Sequence, residues 1–145
     1  MRKRAVIFLF FVFFLTGLSD KSIGDEQVCF KKNCFKVEIV ESPEDLQRGL
    51  MFRKNLHEKE GMLFLFGESS SHAFWMKNTF IPLDIIWIDE EKKVVFIEHN
   101  ALPCLADPCP VYDPKKNVKY VLEINGGLCQ KLDIRVGEKF KFILK

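Results

Sequence analysis

Four polar side chains interrupt segments that are otherwise apolar enough to form core strands: Lys77, Asn78, Asp84 and Glu98. Burying such groups costs free energy unless a partner satisfies them. We therefore expect them to face one shared pocket. Two carboxylates and a cation in one pocket are suited to acid–base chemistry, or to hydrogen bonding with a polar ligand.

The pairing of the two acids depends on the turn between their strands. A hairpin with a three-residue loop places Ile88 opposite Val94 and, further along the ladder, Asp84 opposite Glu98. Like charges destabilise a sheet when they oppose each other, so a shared proton, a metal ion or the nearby lysine would have to lie between them. A two-residue loop would shift the register by one residue and put the acids on opposite faces.

We hypothesise a ligand-binding site with five members: Trp75, Lys77, Asn78, Asp84 and Glu98. The lysine would contact an anionic or carbonyl group, the asparagine would supply paired hydrogen bonds, and the acids would accept from hydroxyls. The expected ligand is therefore small and polar, either sugar-like or anionic. The structural alternative is an ion-pair network that fixes the register of the strands.

The histidine and cysteine patterns in the sequence predict no second functional site. His57, His72 and His99 lie on separate segments, and none has a spacing typical of metal ligands, so no metal is expected. No glycine-rich phosphate loop is present, and no cofactor is expected. Cys129 near a histidine has the chemistry of a nucleophile, but its apolar helix face indicates a buried inert thiol.

The five cysteines predict two disulfides with the same C-x4-C spacing. The pairs are Cys29 with Cys34 and Cys104 with Cys109, which leaves Cys129 over. Export favours disulfides over a zinc site. The second bridge would stiffen the proline-rich loop 100–113, which we expect to cover the ligand site.

The first 24 residues have the pattern of a secretory signal peptide. A basic head, MRKR, precedes the apolar run AVIFLFFVFFL, which is shorter than the roughly 20 residues that span a bilayer. Cleavage is expected after Ser19 or Gly24, which leaves residues 25–145 as one periplasmic or extracellular domain. The alternative is an uncleaved N-terminal membrane anchor.

Loss of this leader changes the charge of the chain. Arg2, Lys3 and Arg4 leave with residues 1–19, so the net charge falls from +2 to −1. A near-neutral domain has no electrostatic reason to bind nucleic acid. After cleavage we expect no membrane contact either.

Short β-prone segments separated by turn residues predict about eight strands, as in a small antiparallel barrel or sandwich, so the fold class is all-β. Two short helices interrupt them. The first has Ser42 as N-cap and Gly49 as its end, and the second carries Leu128 and Leu132 on one face. The expected strands are Val28–Lys31, Phe35–Glu41, Met62–Phe66, Ala73–Lys77, Leu83–Asp89, Val94–His99, Val118–Ile124 and Glu138–Leu144.

Several segments together resemble a known family. Domain of unknown function 192, also called uncharacterised protein family 0127, is similar to this chain over roughly Val37 to Phe142. The resemblance implies a compact, mostly β domain in an often exported prokaryotic protein, and it implies no established activity or catalytic residues. The segments that carry it are RGLMFRKNL (48–56), GMLFLF (61–66), FWMKNTFIPLDIIWID (74–89), PCLADPCPVY (103–112) and YVLEINGG (120–127).

These observations predict an exported domain that binds a small polar ligand. One alternative is a hydrolase or transferase that uses the carboxylate pair as acid and base. The other is an accessory protein of envelope assembly, which would show an exposed apolar patch. The expected partner is accordingly a small molecule or an envelope protein, and the residues leave open whether the protein is an enzyme.

Overall fold

Nine strands and two short helices follow one another along residues 26–143, the part of the chain that the computed structural model describes. The expected leader and both cleavage sites lie outside the described residues. Within them, no helix is long and apolar enough to cross a membrane. The strands are β1 (Gln27–Phe30), β2 (Asn33–Val40), β3 (Glu60–Ser70), β4 (Phe74–Trp75), β5 (Leu83–Ile88), β6 (Val94–Ala101), β7 (Val111–Tyr112), β8 (Val118–Asn125) and β9 (Lys141–Ile143), and the helices are α1 (Pro43–Arg48) and α2 (Leu128–Leu132).

Seven of these strands form one curled sheet, a half-barrel, in the order β6-β5-β8-β3-β2-β1-β9. The remaining two, β4 and β7, form a small second sheet. The all-β prediction with two short helices is confirmed. One pair departs from the antiparallel arrangement, since β2 and β3 pair in parallel. The chain between them contains α1, and a parallel pair requires such a crossover.

Local signals fix the first helix at the predicted residues. The Ser42 side chain accepts a hydrogen bond from the backbone N–H of Asp45 at 3.2 Å, and Pro43 occupies the first helical position. Gly49 ends the helix with φ of +47°, a backbone conformation that favours glycine.

Each face of the large sheet buries its own apolar cluster, because side chains alternate along a strand. We call the side that packs against Leu128 and Cys129 the α2 face, and the side that packs against Leu46 and Leu50 the α1 face. The α2 face buries Ile86, Ile88, Leu122 and Ile124, among others, and the α1 face buries Met62, Phe64, Ile85, Trp87 and Val121, among others.

The β5–β6 hairpin begins in the expected register and then departs from it. Ile88 lies opposite Val94, as predicted, but Trp87 already lies opposite Phe96. One extra residue of β6 is therefore accommodated next to the turn, as in a β-bulge. A second register shift follows between Leu83 and Ile85.

These shifts separate the two acids that were expected to face each other. Glu98 pairs with Ile85 and therefore lies on the α1 face. Asp84 is the preceding residue of β5 and lies on the α2 face. The predicted Asp84–Glu98 pair is wrong, because the bulge changes the register within the strand and not at the turn.

Both predicted disulfides are present. Cys29 bonds to Cys34 across the β1–β2 hairpin with an S–S distance of 2.09 Å, and Cys104 bonds to Cys109 at 2.10 Å. Cys129 is a free thiol and is buried, also as predicted. The second bridge closes the proline-rich loop that lies beside the segment after β4.

Candidate functional site

Three of the five predicted site residues stay together, on the segment that follows β4. The Lys77 ammonium lies 5.4 Å from the centroid of the Trp75 ring. It donates to Asp107 Oδ2 at 2.7 Å. Lys77 therefore pairs with a carboxylate of the Cys104–Cys109 loop, and the expectation that it neutralises Asp84 and Glu98 is wrong.

The disulfide loop is docked along this segment by backbone hydrogen bonds. The Cys104 N–H donates to the Met76 carbonyl at 3.1 Å, and the Asn78 N–H donates to the Cys104 carbonyl at 2.9 Å. Asn78 has φ of +55°, so it turns the chain at this point. The disulfide loop thus contacts Met76, Lys77 and Asn78, and no contact of it with Asp84 or Glu98 is found among the described residues.

Asp84 is fully buried, and its carboxylate accepts three backbone hydrogen bonds. The donors are the N–H groups of Asn100 at 2.8 Å, Gly127 at 2.9 Å and Cys129 at 2.6 Å. These bonds tie the end of β6 and the start of α2 to β5. The three backbone donors satisfy the buried charge of Asp84, so this carboxylate holds the three segments together.

Glu98 lies on the α1 face near Tyr112. Burial raises the pKa of Tyr112, and the charge of Glu98 raises that pKa further. Because Asp84 and Glu98 lie on opposite faces, the geometry required by an acid–base pair of these two residues is absent. The hydrolase or transferase alternative based on this pair is therefore wrong.

One buried carboxyl group on the α1 face was not among the predicted site residues. Glu123 of β8 lies between Met62 of β3 and Ile85 of β5, and only 4 % of it is exposed. Its Oε2 atom has no hydrogen-bond partner among the described residues. Burial raises the pKa of Glu123 to about 8, so the carboxyl group is mostly protonated at neutral pH.

Glu123 lines a cavity of about 320 Å³ beside α1. Gly49 brings its backbone close to this acid: a Cβ atom there would lie 3.8 Å from Glu123 Oε2 and 3.1 Å from Cζ of Phe64. The cavity is thus bounded by the end of α1 on one side. Its other lining residues are Leu46, Gln47, Arg48, Leu50, Met51, Phe66, Ser71, His72, Ala73, Phe74, Trp75 and Thr79.

Aromatic rings form much of the wall and hold one another in place. Phe64 and Phe74 meet edge to face with centroids 4.9 Å apart, and Phe66 stacks on His72 at 3.6 Å. The buried Trp87 donates from Nε1 to the His72 carbonyl at 2.8 Å, which anchors the segment before β4. The wall is therefore positioned before any ligand enters.

The sequence does contain a signal for Glu123, since a glutamate stands between Leu122 and Ile124 in an apolar strand. Strand alternation places it on the face of Val121. The cavity was not visible, because its walls come from residues 46–51, 64–66 and 71–79, which meet only in the folded chain.

A second group of side chains with ligand chemistry lies on the α2 face. One ligand atom each from Asp84, His99 and Cys129 lies within 4.8 Å of the other two. Burial, and then the nearby Asp84 carboxylate, raise the pKa of the Cys129 thiol. The thiol is therefore protonated and unreactive when no metal is bound. Within residues 26–143 these three side chains form the group that could hold a metal ion.

Comparison with known proteins gives a family match over nearly all of the described chain. The family model DUF192, described as "Uncharacterized ACR, COG1430", matches residues 26–142. A UPF0127 protein of Pyrococcus abyssi (strain GE5 / Orsay) is 31% identical over 113 residues, which cover 74% of this chain and 86% of that protein. A UPF0127 protein of Thermococcus kodakarensis is 28% identical over 108 residues, which cover 71% of this chain and 62% of that protein.

Two solved structures have similar folds. A protein of unknown function from Novosphingobium aromaticivorans DSM 12444 has a TM-score of 0.73 and 36% identity, over 80% of this chain and 82% of that one. A protein of Sinorhizobium meliloti 1021, presented as a candidate transcription regulator, has a TM-score of 0.74 and 31% identity, over 81% of this chain and 91% of that one.

Proposed function

Since this chain belongs to the DUF192 family, we propose that it is an exported domain that binds a small polar ligand in the cavity lined by Glu123. The observation that carries the proposal is the Oε2 atom of Glu123, which is buried at the cavity and has no hydrogen-bond partner among the described residues. Leaving such an atom unsatisfied costs about 1–3 kcal/mol. A hydrogen-bond donor of the ligand would remove that cost.

The segments that carry the family resemblance support this location. Four of these segments contribute to the cavity wall: RGLM at 48–51, the strand GMLFLF at 61–66, FW at 74–75 and the glutamate of YVLEINGG. Segments far apart in the chain thus supply one cavity. A common binding site would account for their joint occurrence better than separate packing roles.

The chemistry of the cavity favours a hydrogen-bond donor over an anion. A bound ammonium group would favour the ionised form of Glu123 and pair with it, whereas an anionic ligand would oppose that ionisation. A hydroxyl or amino group can donate to Oε2, and aromatic walls pack well against a compact ring. We therefore retain the sugar-like ligand and replace the anionic alternative by an amine. Lys77, which was expected to hold an anion, does not line this cavity.

Nucleic acid is not proposed as a ligand, although one similar structure is presented as a candidate transcription regulator. Without its leader the chain carries a net charge of −1. Binding to a phosphate backbone is dominated by basic side chains, and this balance gives no excess of them.

A thermal-shift comparison of the mature protein tests the proposal with neutral monosaccharides, primary amines and small carboxylates. We expect a saturable rise in Tm with one of the first two classes and none with the carboxylates. Glu123→Ala should abolish the response. Glu123→Gln should weaken the binding of an amine at least about tenfold, because the amide cannot supply a negative charge. It should weaken the binding of a sugar less.

Glu98→Gln is the matched control for these variants. Glu98 is a carboxylate on the same face of the sheet, opposite Ile85, but it does not line the cavity. It should leave the ligand response unchanged. The proposal would be wrong if Glu123→Ala and Glu98→Gln gave the same response as the unaltered protein.

A second candidate function is docking of an envelope protein, and one observation favours it. Six of the eight exposed large apolar side chains in the described part of the chain belong to the segment 75–80 or to segments that contact it: Phe52, Trp75, Phe80, Leu102, Leu105 and Val111. Grouped exposed apolar residues are typical of interaction surfaces.

The two functions differ in what a change at this surface removes. If the apolar group binds a protein, Phe52→Ser with Leu105→Ser should abolish stoichiometric co-purification of an envelope partner, and Glu123→Gln should not. The double variant could instead lose the small-ligand response while neither it nor the unaltered protein co-purifies a partner. That result would show that the apolar surface only borders the cavity.

A further inference from the structure

Three side chains with metal-ligand chemistry meet on the α2 face, on the opposite side of the sheet from the cavity. Asp84 comes from β5, His99 from β6 and Cys129 from α2, and their ligand atoms lie within 4.8 Å of one another. A thiolate, an imidazole nitrogen and a carboxylate oxygen are donor types that Zn²⁺ takes in proteins. We infer that this group binds one Zn²⁺ ion with a fourth position open to water.

The hydrogen bonds around Asp84 place it as such a ligand. Its carboxylate accepts from the N–H groups of Asn100, Gly127 and Cys129. A carboxylate has about four acceptor positions, so one is left for a metal. Backbone donors of this kind orient a metal ligand and hold it in place when the metal is absent.

The other two ligands combine one fixed group with one that can adjust. Cys129 is fully buried at the start of α2, and its backbone N–H donates to Asp84 Oδ2 at 2.6 Å. His99 is exposed on β6, so its ring has room to turn towards the other two groups. A cavity of about 490 Å³ is lined by both His99 and Cys129, which gives an ion a route to the thiol.

Metal binding at this place replaces one proton by a divalent cation, so the site gains one positive charge and nothing is oxidised. The thiol proton of Cys129 passes to water, and the sulfur then binds the metal as a thiolate. The Asp84 carboxylate and the His99 ring would supply the other two protein ligands of the ion. The buried thiolate is then paired with a cation, as burial of a charge requires.

A thiol nucleophile is the other chemistry that these three residue types allow, and the geometry disfavours it. In a Cys-His-Asp arrangement the carboxylate orients the histidine and the thiol faces the substrate. Here the carboxylate accepts from the backbone N–H of Cys129, and the thiol is fully buried. A metal ion needs no access for a substrate.

Equilibrium dialysis of the full chain against Zn²⁺, with both disulfides intact, tests the inference. We expect one Zn²⁺ per chain, and binding at least about 100-fold weaker in His99→Ala, since loss of even an outer contact costs 10–100-fold. His57→Ala removes an exposed histidine on another segment and should leave affinity unchanged.

Cobalt supplies a spectroscopic readout of the thiolate. Co²⁺ should give a sulfur-to-cobalt charge-transfer band in the unaltered protein and in Glu123→Gln, and no such band in Cys129→Ser. His99 is on the surface, so its variant should fold, which circular dichroism will verify. Absence of stoichiometric Zn²⁺, or equal weakening in His99→Ala and His57→Ala, would overturn the inference.

Discussion

At the scale of single residues, three buried carboxyl groups show three different environments. Glu38 forms an ion pair with Arg53, and Asp84 accepts three backbone hydrogen bonds. Glu123 has an oxygen with no partner among the described residues. Since buried polar groups are nearly always satisfied, the unsatisfied oxygen of Glu123 indicates where a ligand is expected on the α1 face, whereas Glu38 and Asp84 have partners within the described chain.

Glu123 predicts a specific dependence of stability on pH. The folded protein keeps its proton up to pH about 8, whereas the unfolded chain releases it above its ordinary pKa of 4.5. The folded state therefore binds more protons between these values, and its stability falls as the pH rises through this window. The loss is on the order of 5 kcal/mol.

Chemical denaturation of the unaltered protein and Glu123→Gln between pH 5 and 9 measures this effect. The difference between their free energies of unfolding should shift in favour of Glu123→Gln as the pH rises, and should level off above pH about 8. A constant difference across this range would show that Glu123 is not buried as a protonated acid.

Replacing Asp84 should lower the stability of the protein without affecting ligand binding in the cavity on the α1 face. Asp84→Asn keeps the shape but replaces one acceptor oxygen by a donor that faces backbone N–H groups. We expect a cost of at least about 3 kcal/mol in urea denaturation. The folded variant should still bind the cavity ligand, so the ligand should still raise its Tm. A cost under about 1 kcal/mol would contradict the structural role.

At the scale of elements, the end of α1 bounds the cavity, and the disulfide loop lies along the segment beside it. Gly49 ends α1 where the chain passes close to Phe64 and Glu123. The Cys104–Cys109 loop lies on Asn78 through a backbone hydrogen bond. Both arrangements are backbone contacts, so they depend on chain geometry more than on side-chain identity.

Gly49 has both a left-handed backbone and a close neighbour, so alanine there should be costly. Gly49→Ala places a Cβ 3.1 Å from the buried Phe64 ring at φ of +47°. We expect a loss of about 1–3 kcal/mol and a weaker ligand response. Gly67→Ala is the control, because its Cβ would meet nothing within 4 Å. Equal stabilities of the two variants would contradict the prediction.

Replacing Lys77 should change the stability of the protein only slightly, in contrast to replacing Asp84. Its ion pair with Asp107 involves two side chains that are 34% and 64% exposed. Such pairs contribute about 0–1 kcal/mol. Lys77→Ala should therefore change the urea midpoint little and leave the cavity response intact. A large loss of ligand binding in this variant would restore the site expected from the sequence.

At the scale of the whole molecule, one curled sheet separates two candidate sites. The cavity with Glu123 lies on the α1 face, and the group with Cys129 lies on the α2 face. The two disulfides close a β-hairpin and a surface loop. Such bridges fit an oxidising compartment outside the cytoplasm.

The leader gives a prediction about the whole protein that the described residues do not test. Expressed in full, the chain should be recovered from the extracytoplasmic fraction with a new N-terminus at Asp20 or Asp25, as cleavage after Ser19 or Gly24 requires. Mass spectrometry of the recovered protein measures this. A chain that retains Met1 in the membrane fraction would support the uncleaved anchor.

Sequence alone determined the features that depend on near neighbours. The capping residues around α1, the two C-x4-C bridges and most strands follow from local chemistry that needs no distant partner. The family resemblance followed from short segments in order. Strand alternation even gave the face of Glu123 once the strand was known.

Only the tertiary structure decided which polar groups share a site. The bulge after Val94 separates Asp84 from Glu98, although Ile88 lies opposite Val94 as the alternative with a three-residue loop requires. Glu123 and its cavity depend on segments that are distant in sequence. The physical reason is that register shifts and long-range packing arise from the fit of all strands together, which no local pattern encodes.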